Sequence, residues 1–301
     1  MPTDEYTNDT REIYLEEEGD PGAEYHIKNQ PGQLQREYVT DRDNKMLIQC
    51  TLSAVIHGNL DSKSEAPGTL IVFDFRFFPR VHGQRFTRVD ISVLFEDEKR
   101  SERYCPEVKA IAPDDYFIMQ ATTKKQEIKR LAEAGIDGGS TAPVHAGFSY
   151  EITESIEKPY SIKVIGAIRF WKGNGRNKVE WTLLENTSQQ SGVPTFLRAA
   201  ILLSRKHNSS RRFIATVEIK AQSNRLLGIG NKLRGLTGRI PKDDPIIFSS
   251  SEPPTTNIFD ATNLASQSLK DIMVVQSSKA MPDAIDANGN TSIQLDKVAE
   301  T

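Results

Sequence analysis

Apolar and polar residues alternate along much of the chain, and this alternation is its strongest pattern. In residues 69–78, apolar residues at every second position flank the charged Asp74 and Arg76. Residues 86–96 repeat the pattern. A period of two predicts half-buried β-strands. Because turn-forming residues separate the two segments, we expect an antiparallel hairpin in which Asp74 and Arg76 lie near the charged Arg88 of the second strand.

Six more segments alternate in the same way and are predicted strands: residues 46–56, 148–153, 161–170, 179–184, 197–203 and 213–219. At least eight short strands, several of them separated by turn residues, predict an all-β fold, an antiparallel β-sandwich. One short helix is predicted at residues 124–134, because Thr123 and Gln126 form a capping-box pattern and Gly135 supplies a stop signal.

The alternation fades towards both termini, which divides the chain into four regions. Residues 1–38 are predicted to form an acidic, flexible extension. Residues 39–222 are predicted to form the sandwich. Residues 223–242 form a basic segment rich in glycine and leucine, and residues 243–301 a polar, acidic and partly disordered tail. Spaced apolar residues within this tail predict a helix at residues 260–274.

The formal net charge of the 301-residue chain is only −3, but the charges are segregated. Residues 1–30 hold nine acidic and two basic residues, and residues 243–301 hold nine and three. Residues 205–242 hold one acidic and ten basic residues, whereas residues 31–204 are nearly neutral. Any electrostatic partner is therefore expected at residues 205–242, unless an acidic tail folds over them.

The basic segment is the main candidate for binding an anionic partner. The candidate binding residues are the cations between residues 225 and 240: Arg225, Lys232, Arg234 and Arg239. They interleave with leucine and isoleucine, a mixture that suits an anionic membrane surface. The alternative is a solvated linker that packs its leucines on the sandwich. Both nucleotide-binding glycine motifs fail, since Leu233 and Leu236 replace the required glycine and lysine. No aromatic residue lies between residues 225 and 240 to stack a base, which disfavours nucleic acid.

No catalytic residue, cofactor site or metal site is predicted. Cys50 and Cys105 are the two cysteines, and they lack the paired spacing of a zinc site. Cys50 lies on the apolar side of a predicted strand and is expected in the core, whereas Cys105 precedes a proline in a loop and is expected at the surface. The five histidines are dispersed, without a metal-binding spacing. The paired acids Asp114 and Asp115 are interpreted as turn residues.

The stretch from Gly135 to Tyr150 is rich in small residues. A flexible surface loop is the first interpretation of such a stretch. The second is a segment that enters a membrane when the protein changes shape, a hypothesis that leakage of lipid vesicles would test.

Three stretches resemble a family of β-rich proteins of filamentous fungi: AIAPDD at residues 110–115, VEWTLLEN at 179–186 and GVPTFLRAA at 192–200. The resemblance covers about residues 40–222, the region of the predicted sandwich. It implies an intracellular fungal origin and a body separate from both tails. No activity is assigned to that family, so it implies no functional residue.

The chain lacks a run of about 20 apolar residues that would span a bilayer. Residues 1–20 also lack the apolar centre of a signal peptide, so we expect a cytoplasmic protein. The expected function is a non-enzymatic binding or interaction module with a protein partner. One alternative is peripheral membrane association through residues 225–240. The other is an enzyme of secondary metabolism whose site is assembled in a cavity of the sandwich.

Overall fold

A computed structural model confirms the all-β fold, in which two antiparallel sheets pack as a sandwich. The structure describes residues 11–13, 26–43, 46–63, 66–134, 148–171, 175–206, 211–224 and 243–277. The strands in these residues are β1 (Arg11–Ile13), β2 (Tyr38–Asp43), β3 (Met46–Asn59), β4 (Pro67–Pro79), β5 (Phe86–Asp97), β6 (Glu107–Ala112), β7 (Asp115–Ala134), β8 (Phe148–Arg169), β9 (Lys178–Leu184), β10 (Phe196–Ser204), β11 (Phe213–Ser223), β12 (Ile246–Phe248) and β13 (Val274–Gln276). The same residues include 3-10 turns at Glu102–Tyr104 and Leu264–Ser266 and a short helix α1 (Leu269–Ile272).

The two sheets have different strand orders. The seven-stranded sheet has the order β1-β11-β5-β9-β8-β7, and β12 also pairs with β11. The six-stranded sheet has the order β13-β10-β4-β3-β2, and β6 also pairs with β10. The chain changes sheet repeatedly, for example between β4 and β5, between β5 and β6 and between β6 and β7, so the connections tie the two layers into one sandwich.

The core between the sheets is built from the apolar positions of the alternating pattern. The rings of Phe75 and Trp181 meet across it with their centroids 6.2 Å apart. Phe213 and Phe248 stack at 4.9 Å. All four rings are buried, and aromatic side chains contribute the largest apolar areas to such a core.

The predicted hairpin between β4 and β5 is wrong. β4 pairs with β3 and β10, whereas β5 pairs with β9 and β11 in the opposite sheet. The residues between the two strands cross the sandwich, so Phe77 and Phe86 meet in the core with ring centroids 6.0 Å apart. Asp74 and Arg88 consequently lie on opposite outer faces. Alternation predicts which side of a strand is apolar, but it does not predict which strand lies beside it.

The predicted helix at residues 124–134 is also wrong, because these residues belong to β7. They pair with β8 in a register that continues to Ala134 opposite Phe148. The segments 148–153 and 161–170, predicted as two strands, are parts of β8. Local helix signals such as a capping box are a weak indication, and pairing with a strand that is distant in sequence overrides them here. The outer parts of β7 and β8 form a two-stranded ribbon.

A second, smaller core covers part of the outer face of the six-stranded sheet. An irregularity between Leu52 and Ala54 shifts the register of β3, so the strand is apolar on its outer side beyond this point. The second core consists of Ala54, Ile56, Leu70, Val72, Ala112, Ala200, Leu202, Leu264 and Leu269. The last two come from the predicted helix at 260–274, which exists only as a 3-10 turn and the four-residue α1. C-terminal residues thus add a third layer here.

Residues 26–37 lie beside residues 243–249, although the sequence places them in different terminal regions. The Arg36 side chain is buried and donates from Nη2 to the carbonyl oxygen of Asp244 at 2.8 Å. Burial lowers the pKa of Arg36, and the nearby Asp243 and Asp244 oppose this shift. The backbone N–H of Gln35 donates to the carbonyl oxygen of Ile247 at 2.8 Å. These bonds hold both segments against the edge of the sandwich.

Candidate functional site

The outer face of the six-stranded sheet is polar near β2. Phe73, Phe75 and Phe77 of β4 face the core, which places Asp74 and Arg76 on the outer face. The register puts Thr51 of β3 opposite Asp74 and Gln49 opposite Arg76. Tyr38 of β2 lies opposite Thr51 on its other side. The alternation that builds the core therefore also produces a row of polar side chains across three strands.

An open groove lies between this polar row and the C-terminal residues. Thr255 marks its boundary, because its Oγ1 accepts a hydrogen bond from the N–H of Val55 at 2.8 Å. The groove has a volume of about 690 Å³, within the range of small-ligand sites. It is lined by Gln35, Glu37, Tyr38, Thr40, Asp41, Gln49, Thr51, Leu52, Ser53, Asp74, Arg76 and Thr255. We call it the outer-face groove.

The floor of the outer-face groove is fixed by a charged pair. Arg198 of β10 donates to Asp74 from Nε at 2.8 Å and from Nη2 at 2.9 Å. The Asp74 side chain is only 7% exposed, and its hydrogen bond raises the pKa of Arg198. The guanidinium groups of Arg76 and Arg198 lie 5.2 Å and 5.9 Å from the ring centroid of Phe196. These contacts hold the side chains of Asp74, Arg76 and Arg198 together on the outer face.

The rim of the groove is open to solvent. Tyr38 is 60% exposed, and Glu37 and Ser53 beside it are also exposed. The amide of Gln49 donates to Oδ1 of Asp41 at 3.0 Å. The rim therefore offers an aromatic ring together with hydroxyl, amide and carboxylate groups.

The charges of the groove disfavour an anionic ligand. Arg198 already pairs with Asp74, which leaves Glu37 and Asp41 against Arg76, the one lining cation among the described residues. The remaining polar groups are hydroxyls and amides, which can both donate and accept hydrogen bonds. The arrangement suits a neutral ligand that carries many hydroxyl groups.

His57 lies behind the groove and connects to it through Gln35. The Gln35 Nε2 is 2.9 Å from Nε2 of His57, and Nδ1 of His57 is 2.9 Å from Oγ1 of Thr69. Burial, together with the charge of Arg205, lowers the pKa of His57 to about 4. The ring is therefore neutral at neutral pH, and Nε2 can accept the proton of the Gln35 amide. The spacing of histidines in the sequence gave no reason to select this one.

The two cysteines are both buried. The core position expected for Cys50 is confirmed, and burial raises the pKa of its thiol well above the ordinary value. The surface position expected for Cys105 is wrong, since this residue is 7% exposed. It closes the turn at Glu102–Tyr104, where its Sγ lies 3.7 Å from the carbonyl oxygen of Ser101. In the part of the chain that the structure describes, no three His, Cys, Asp or Glu residues are placed to hold a metal ion.

The four cations predicted to bind an anionic partner lie outside the described residues: Arg225, Lys232, Arg234 and Arg239. The stretch 135–147 and the last 24 residues of the predicted tail, 278–301, lie outside them as well. No helix within the described ranges has the length and apolar character needed to cross a membrane.

Several of the described cations in residues 205–224 contact acidic or aromatic side chains of the body. Arg211 donates two hydrogen bonds to Asp97 and lies 4.2 Å from the ring centroid of Tyr104. Arg212 faces Glu98 at 4.0 Å. The cleft beside them has a volume of about 10 Å³, which is room for about one water molecule. It is too small for an organic ligand.

Comparisons with known proteins do not identify a family. No protein-family model matches the chain, and no curated protein does. Among solved structures, the chain is similar to the membrane-inserted form of the NetB toxin of Clostridium perfringens, with 9% identity and a TM-score of 0.27. The match covers 62% of this chain and 83% of the toxin chain. A similarity this weak supports no statement about function, and the resemblance to fungal proteins stays a prediction.

Proposed function

We propose that the chain is a non-enzymatic binding module whose ligand lies in the outer-face groove. The observation that supports this proposal most strongly is the contrast between its floor and its rim. Asp74 and Arg198 hold each other in the floor, while Tyr38 and Ser53 stand exposed above it. A preformed floor lowers the ordering cost of binding.

The ligand that fits this groove best is a neutral, hydroxyl-rich molecule such as an oligosaccharide. The exposed ring of Tyr38 offers an apolar surface for the C–H side of a sugar. Thr51, Ser53 and Gln49 offer donors and acceptors to its hydroxyls, and the rim carboxylates are additional acceptors. The excess of carboxylates disfavours acidic sugars and other anions.

Isothermal titration of the full chain with a panel of neutral and acidic oligosaccharides tests this proposal. We expect a neutral oligosaccharide to bind, and Tyr38→Ala to weaken binding about tenfold, which corresponds to about 1.4 kcal/mol. Tyr116→Ala is the matched control, because Tyr116 is 69% exposed but lies in the opposite sheet. Equal affinity of the two variants contradicts the proposal. A chain that binds only acidic oligosaccharides, or only a protein partner, contradicts it as well.

A second proposed function is peripheral association with an anionic membrane through residues 225–240. The described residues at both ends of this segment are anchored to the body. Oδ1 of Asn224 accepts the N–H of Arg85 at 3.0 Å, and Oδ1 of Asp243 accepts the N–H of Ile27 at 2.9 Å. The described residues on both sides of the segment are thus held on the body, and the proposal is that the four cations between them act together on an anionic surface.

A further inference from the structure

The ribbon formed by the outer parts of β7 and β8 lacks a third strand among the described residues. It extends from Thr122 opposite Tyr160 to Ala134 opposite Phe148. β9 pairs with β8 only between Lys163 and Arg169. At about 3.4 Å per residue, the ribbon is about 40 Å long. A two-stranded ribbon of this kind is marginally stable in water, and both of its edges present backbone groups that can pair with a further strand.

The sequence of the ribbon is amphipathic and continues the pattern of the sandwich core. Ile162 and Val164 of β8 are buried, and Val164 belongs to the core between the sheets. The alternate positions that continue from them are Phe148, Tyr150, Ile152, Glu154, Ile156, Lys158 and Tyr160. The intervening positions up to Lys158 are polar, namely Ser149, Glu151, Thr153, Ser155 and Glu157, and Pro159 follows them. A mainly apolar set of positions thus continues along β8 beyond the residues that pair with β9. Burial of these apolar residues against a further ribbon would stabilise the ribbon.

The two strands of the ribbon carry opposite charge. Residues 124–134 of β7 hold four basic and two acidic residues, and residues 148–158 of β8 hold three acidic and one basic residue. Opposite charges on neighbouring strands are favourable, and like charges are not. The β7 edge therefore matches the β8 edge of another ribbon better than it matches a second β7 edge.

We propose that this ribbon is an assembly surface for a second copy of the chain, in which the β7 edge of one copy pairs with the outer part of β8 in the next. Each copy presents both edges, so the contact is head-to-tail. It extends the seven-stranded sheet from one copy to another. The outer-face groove lies on the other sheet, so the ribbon contact does not use its residues.

Sedimentation of the full chain over a range of concentrations tests this assembly. We expect association that weakens in about 1 M salt, where the screening length is about 3 Å. Glu151→Lys with Glu157→Lys in β8 should weaken association at least tenfold, and Lys125→Glu with Lys129→Glu in β7 should do the same. An equimolar mixture of these two variants should associate again, because each supplies the edge charge that the other lacks.

Glu180→Lys is the matched control, since Glu180 lies in β9, which is paired on both sides by β5 and β8. It should associate as the unaltered chain does. If the unaltered chain stays monomeric at every concentration, the proposal is overturned. This result does not depend on whether the variants fold. Association that appears only with phosphatidylcholine vesicles present overturns it as well, because a lipid surface would then be the occupant of the ribbon.

Discussion

Two hydrogen bonds connect the Arg198 side chain to Asp74 and join β10 to β4 beneath the outer-face groove. Removing the guanidinium by Arg198→Met would leave the nearly buried carboxylate of Asp74 without this partner. We expect the free energy of unfolding to fall by about 3 kcal/mol, because an unpaired buried charge is costly. Urea denaturation measures this loss.

Lys109→Met is the control for this prediction. Lys109 pairs with Glu107 at 2.8 Å, but their side chains are 42% and 39% exposed. An exposed pair contributes less than about 1 kcal/mol. Equal losses for the two variants would show that burial of Asp74 does not govern the strength of its pair.

Gly58 and Gly68 lie opposite each other in β3 and β4 and make a matched test of the third layer. A Cβ at Gly58 would lie 1.9 Å from the carbonyl oxygen of Ala261, whereas a Cβ at Gly68 would lie 3.0 Å from the side chain of Leu60. Gly58→Ala should displace the C-terminal residues, destabilise the fold by about 1–3 kcal/mol and speed proteolysis after residue 254. Gly68→Ala should change the stability and the proteolysis rate less, since the Leu60 side chain can move aside. Identical proteolysis of the two variants would argue against this packing.

His57 should make the fold sensitive to acid. Its pKa is about 4 in the folded protein and about 6.5 in an unfolded chain. The unfolded state binds the proton first as the pH falls, so stability is complete above about pH 6.5 and declines towards pH 4. The loss attributable to His57 is up to about 3 kcal/mol.

Thermal unfolding of a His57→Gln variant between pH 4 and pH 7 measures this contribution. The variant should lose part of the pH dependence, whereas His82→Gln, at an exposed position, should retain all of it. A His57→Gln variant with the full acid dependence would assign the effect to other groups.

The second proposed function predicts salt-sensitive sedimentation with vesicles that contain phosphatidylserine. Each basic residue near such a surface contributes about 1 kcal/mol. Replacement of Lys232, Arg234 and Arg239 by Glu should therefore abolish binding. The same replacement at Lys99, Arg103 and Lys109, which are exposed on the body, alters the net charge equally and should have little effect. Unchanged binding of the first variant would remove the basic segment from this function.

Seven strands could be predicted from the sequence because one side of each faces the core over much of its length: β3, β4, β5, β8, β9, β10 and β11. The period-two pattern identified β3, β5 and β11, and it placed Trp181 of β9 correctly in the interior. It failed for residues 124–134, where local capping signals were stronger than the alternation. Pairing with β8 determines the structure there, and a local sequence window does not contain that partner.

The groove could not be predicted because distant parts of the chain build it. The sequence did place Asp74 and Arg76 on the polar side of a strand, but the hairpin assumption gave Asp74 the wrong neighbour. Arg198 and Thr255 lie more than a hundred residues away from it in sequence. Only the pairing of β4 with β10 and the return of the C-terminal residues bring them together.

The most direct test of the proposed binding function is a nitrogen-15 NMR titration of the full chain with the neutral oligosaccharide that binds most tightly. We predict that the largest shifts of backbone amide signals occur at Tyr38, Thr51 and Ser53, and that Tyr116 is unaffected. Shifts concentrated on the seven-stranded sheet, with Tyr38 and Thr51 unchanged, would contradict ligand binding in the outer-face groove.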